Sequence, residues 1–150
     1  MNRDLLFFAA YIFSFCLIAG CSSSQSTRDN DLKIQYTILM GHGGGFTGNY
    51  EGIYLDSTGK VIKWTGRTFD SARKSFSKQL NKDEIYSIIN LIDTTGIQNT
   101  KYNEHGNVSS FMTIKTDKGE KRISWNGLEP DSEVPENIRR FYSAIKQITD

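Results

Sequence analysis

The hydrophobic period changes along this chain, and that change limits the fold more than any single motif. In residues 34–40, Ile34, Tyr36, Ile38 and Met40 alternate with Gln35 and Thr37, the period of a strand with one buried face. This first strand is expected to stop at the glycine run that begins with Gly41. Residues 50–55 and 60–65 alternate again around Asp56-Ser57-Thr58-Gly59, whose glycine supplies the positive φ of a short hairpin turn. A further strand, with Phe76 its main apolar residue, is expected over residues 72–78. The period then lengthens, placing Ile85, Ile88, Ile89 and Ile92 on one helical stripe. That helix carries a full start signal: Asn81 as N-cap, Glu84 closing a capping box, and Leu80 against Ile85 as a hydrophobic staple. Gly96 stands where a C-terminal cap belongs. Strand patterning returns in residues 111–116 and 121–125 across Asp117-Lys118-Gly119. A last helix is expected from near Pro135, with Ile138, Phe141, Tyr142, Ile145 and Ile148 on one face. The strand connections are short enough for antiparallel neighbours, and two helical stripes are buried together when both pack on one sheet face. The expected fold is therefore α+β, an antiparallel sheet of five to six strands with two amphipathic helices on one face, in the order β-β-β-(β)-α-β-β-α.

The amino terminus follows a different logic. Arg3 precedes an apolar run from Leu5 through Phe7, Phe8, Tyr11 and Phe13 to Ile18, too short for a span of about 20 apolar residues, and it ends on small residues. Ile18-Ala19-Gly20-Cys21 resembles the lipobox of bacterial lipoproteins. The resemblance implies cleavage before Cys21, acylation of its thiol, and a mature chain held in the membrane by lipid, since more than one acyl chain makes anchoring stable. Residues 1–20 are expected to be the signal, 21–31 a lipidated cysteine and polar tether, and 32–150 a single domain. Ser22 after the cysteine resembles an outer-membrane sorting cue, so the expected location is the cell envelope, at the outer membrane.

Composition removes several functions. The formal net charge is +1, without the basic footprint that nucleic-acid binding needs. Cys16 leaves with the signal and Cys21 is taken by lipid, so the domain has no cysteine for a disulfide, a thiolate nucleophile or a metal. His42 and His105, even with Glu51 and Glu104, show no ligand spacing and read as loop histidines. The acidic stretch Glu129-Pro130-Asp131-Ser132-Glu133 lacks the alternating ligands and central glycine of a calcium loop and reads as a solvated connection. Trp64 and Trp125 are expected in the core or on a sheet face, and Arg139 and Arg140 on a solvated helix face.

The most unusual segment is Gly41-His42-Gly43-Gly44-Gly45-Phe46-Thr47-Gly48. Gly43, Gly45 and Gly48 have the G-x-G-x-x-G spacing of a dinucleotide site, but that fingerprint must open a helix, and a hairpin follows here. His42-Gly43-Gly44-Gly45 copies the oxyanion-hole stretch of esterases without the nucleophile elbow such enzymes need. An enzyme would need His42 or His105 within hydrogen-bond reach of a serine or carboxylate in a cleft. The remaining reading is a tight glycine turn with Phe46 either exposed at its tip or folded into the core.

On Gly44, Gly45, Phe46 and Gly48, and on the order of strands and helices that follows, the chain resembles emfourin-like proteins, small α+β domains with a GGF-x-G signature. That resemblance implies a protein-binding module, and inhibition of thermolysin-type zinc metallopeptidases. It places the partner contact at Gly43, Gly44, Gly45, Phe46, Thr47 and Gly48. The expectation is a membrane-anchored, non-enzymatic binding module with no cofactor, its partners the membrane through Cys21 and another protein, a peptidase or an envelope component. The alternative is a structural or accessory envelope lipoprotein with no peptidase target.

Overall fold

The computed structural model describes residues 34–150; the expected signal, Cys21 and the expected tether lie outside the described residues. The chain from 34 onward forms β1 (Tyr36–Gly44), β2 (Asn49–Asp56), β3 (Lys60–Gly66), β4 (Arg73–Gln79), α1 (Lys82–Thr94), β5 (Val108–Thr116), β6 (Gly119–Asn126) and α2 (Glu136–Thr149). One antiparallel sheet in the order β4-β3-β2-β1-β5-β6 holds every strand, with β1 flanked by β2 and β5. The fold is α+β, as the alternating and helical periods require.

One face of the sheet carries Tyr36, Ile38, Met40, Leu55, Val61, Met112, Ile114, Ile123 and Trp125 into a single core with Ile88 and Ile92 of α1 and Ile138, Phe141, Tyr142 and Ile145 of α2. Both helical stripes are buried there. α1 starts as its sequence dictates: the Asn81 side chain accepts from the Glu84 amide at 2.9 Å, and the Asn81 amide donates to the Glu84 carboxylate at 2.8 Å. Leu80 is buried and Ile85 packs against the core, as a staple requires. Past the Thr95 cap, Gly96 takes the left-handed conformation.

β1 does not stop at Gly41. It runs to Gly44, because Gly41 is paired with Gly52 on one side and Phe111 on the other, and its missing side chain makes room for aromatic rings from neighbouring strands. β5 likewise begins at Val108, and β6 spans more than residues 121–125, since each extra residue finds a ladder partner. Pro135 is the N-cap of α2, one position before the first helical residue.

The two tryptophans part company. Trp125 is fully buried in the helix-side core, edge-on to Tyr142. Trp64 is buried on the opposite face, where Phe111 and Phe69 enclose it and Phe69 stacks on Tyr54 at 4.9 Å. Lys74 and Arg122 lie 4.1 Å over the rings of Phe69 and Phe111, closing this second, smaller aromatic layer. Arg140 is solvated as expected, whereas Arg139 is half-buried and donates to the Val134 carbonyl at 3.0 Å. No helix among the described residues is long and apolar enough to cross a membrane.

Candidate functional site

Two features stand at the same end of β1. The first is the hairpin tip that joins β1 to β2. Gly43 and Gly44 are the last residues of β1, Gly45, Phe46 and Thr47 form a single 3-10 turn, and Gly48 closes it. The structure thus brings all six predicted contact residues together. Gly45 has φ +60°, a left-handed conformation that costs a side-chain-bearing residue roughly 1–2 kcal/mol. A Cβ on Gly43 would lie 2.1 Å from the Asn49 carbonyl oxygen, so the two strands close only on glycine there.

The tip is tied down from outside as well. The Gly45 amide donates to the Asn107 carbonyl at 2.6 Å, joining the turn to the segment that leads into β5. The Gly48 amide donates to the Gly45 carbonyl at 3.3 Å, and the Thr47 hydroxyl accepts from the Asn49 amide at 3.3 Å. With its backbone committed, the turn leaves Phe46 at 107% relative exposure. Of the two placements open for Phe46, exposed tip or core, the structure shows the exposed one.

The glycine spacing Gly43, Gly45, Gly48 leads into a 3-10 turn and a strand, with no helix N-terminus to receive a phosphate.

The second feature is a groove of about 340 Å³ where the sheet emerges from under the end of α2. Met40, Ile53, Leu128 and Tyr142 form its apolar lining. His42 belongs here: it is a strand residue of β1, not a loop histidine, because the ladder continues through the glycine run. Its Nε2 lies 3.0 Å from a carboxylate oxygen of Glu51, its partner on β2. Across the groove Lys146 donates to Glu129 at 2.5 Å, and that bond, foremost, holds the Lys146 ammonium above the usual lysine range. Burial, and then the Glu129 charge, push the Tyr142 phenol up.

His42 and Glu51 together form a pair of the type used in acid–base chemistry, and His42 lines the cleft. The serine opposite His42 on β5 is Ser110, whose buried hydroxyl is directed at two carbonyls, Gly127 at 2.7 Å and Leu128 at 2.9 Å. Its proton is committed to the backbone, so Ser110 is not presented as a nucleophile. His105 lies in an exposed loop, and among the described residues no group of three or more His, Cys, Asp and Glu side chains is placed to hold a metal.

Sequence reading missed the groove, whose lining comes from β1, β2, β5, the β6–α2 connection and α2. One signal was available: Lys146 and Thr149 continue from Tyr142 at helical spacing, along the border of the core stripe. Compared with known proteins, the chain matches no protein-family model and no curated protein.

Proposed function

We propose that this chain is a lipid-anchored protein of the bacterial envelope, attached through Cys21, and that its domain is a protein-binding module whose contact surface is the glycine hairpin tip. The observation that carries the reading is a fully exposed Phe46 on a turn whose backbone is fixed by Gly45 and Asn107. A large aromatic ring held in water by a rigid turn contributes nothing to the core and loses little entropy when a partner covers it. Aromatic side chains of this kind dominate interface energetics when they enter a desolvated pocket.

The resemblance of Gly44-Gly45-Phe46-Thr47-Gly48 to the emfourin signature makes a thermolysin-type zinc metallopeptidase the first partner to test, with the domain as an inhibitor. The module is read as non-enzymatic and cofactor-free. The test is inhibition of such a peptidase by the compact unit Leu32–Asp150, with Phe46→Ala as the site variant. Inhibition that disappears in a folded Phe46→Ala protein supports the inhibitor reading. Binding of another envelope protein through Phe46, without peptidase inhibition, assigns the module to an accessory role.

A further inference from the structure

The groove between the sheet and the end of α2 has donors and acceptors out of balance. His42 uses Nε2 on Glu51, and Lys146 is held by Glu129, so both basic groups at the site already have carboxylate partners. Left over in the lining are the second oxygen of Glu129 and the carboxylate of Asp150, which takes no side-chain hydrogen bond among the described residues. The lining thus sets two carboxylates, Glu129 and Asp150, against one lysine, Lys146, while its His42 is paired with Glu51. Carboxylates outnumber lysines in the lining, and the free oxygens of Glu129 and Asp150 are acceptors open to an incoming cation.

Beneath that rim the surface is apolar, formed by Met40, Ile53, Leu128 and Tyr142. A ligand that matches both levels has an aliphatic stem and a cationic, donor-rich head, which is the chemistry of lysine and arginine side chains. The volume, about 340 Å³, is at the small end for a ligand pocket and suits one long side chain better than a cofactor. We infer that this groove receives a basic side chain, lysine or arginine, of a partner protein.

His42 lies two strand positions, about 7 Å, before Gly44 at the end of β1, so a partner seated on the hairpin tip can also reach the groove. The assignment does not depend on the tip, and the test keeps them apart. The unit Leu32–Asp150, isotopically labelled, is titrated with blocked single amino acids: acetyl-lysine, acetyl-arginine, acetyl-norleucine and acetyl-glutamate methylamides. Expected are saturable amide shifts at Ile53, Leu128 and Lys146 with the two basic probes, with dissociation constants of order millimolar. Norleucine binds at least about fivefold more weakly. Asp150→Asn and Glu129→Gln each weaken lysine binding about threefold or more, and Phe46→Ala leaves it unchanged.

Equal shifts with norleucine overturn the proposal in favour of a plain apolar slot. Preference for glutamate, loss of binding in Phe46→Ala, or no shift with either basic probe at about 50 mM also overturns it.

Discussion

The indole of Trp64 lies directly over Gly41, and its Nε1 donates to the neighbouring Met40 carbonyl at 3.2 Å. A Cβ on Gly41 would sit 2.6 Å from Trp64 Cζ2 and 2.9 Å from Phe111 Cε1. Both rings are nearly inaccessible to water, so neither can swing aside without exposing the aromatic layer. Gly41→Ala is expected to destabilise the domain by about 1–3 kcal/mol, as overpacking does, measured by urea unfolding. Trp64→Phe in the Gly41→Ala background should recover part of that loss, because it removes the ring atom that collides.

The capping box offers a local test. Asn81→Ala removes the acceptor of the Glu84 amide and should cost about 1 kcal/mol with an unchanged denaturant slope. Glu84→Ala in addition should cost less than it does alone, since the two hydrogen bonds form one motif.

Tyr36 sets the alkaline limit. Its hydroxyl is buried without a hydrogen-bond partner among the described residues, and burial, then the Asp56 charge, push the phenol up to about 12. The folded state therefore keeps a proton that the unfolded chain, at an ordinary 10.0, releases. Stability from this group is complete below pH 10 and falls as pH rises toward 12, at about 1.4 kcal/mol per pH unit. Burial raises Tyr54 and Tyr142 in the same direction. Tyr36→Phe should be neutral or slightly stabilising at pH 7 and should flatten the decline above pH 10, read from urea midpoints across that range.

The proposed anchoring makes its own prediction. Labelled fatty acid should enter the wild-type protein, and Cys21→Ala should abolish incorporation and release the chain from the membrane fraction. Incorporation that persists in Cys21→Ala would contradict a lipid on this cysteine.

The sequence made some parts of the fold legible and hid others for identifiable reasons. Local devices were readable: the Asn81–Glu84 capping box, the Gly59 turn and the isoleucine stripe of α1 need only neighbouring residues to be recognised. The extent of β1 was not, because glycines ordinarily weaken strands, and the reason for Gly41 lies on β3 and β5, in Trp64 and Phe111. The six residues of the hairpin tip were picked out by their glycine content and by the family resemblance, while the Gly45–Asn107 bond that ties the turn down is a contact far apart in the chain. His42 reads as a loop residue until its register with Glu51 and Ser110 is known, and that register brings the groove into being.

The most direct test of the binding-module account is titration of a thermolysin-type peptidase with the unit Leu32–Asp150, alongside Phe46→Ala and Gly45→Val. Phe46 is solvent-exposed, so Phe46→Ala should change stability by no more than about 0.5 kcal/mol, whereas Gly45→Val, at φ +60°, should cost about 1–2 kcal/mol. The account predicts stoichiometric inhibition by the wild type and its loss in a Phe46→Ala protein with unchanged circular dichroism. Undiminished inhibition by Phe46→Ala would contradict the hairpin tip as the contact surface, and a wild type that leaves the peptidase fully active would contradict the inhibitor reading.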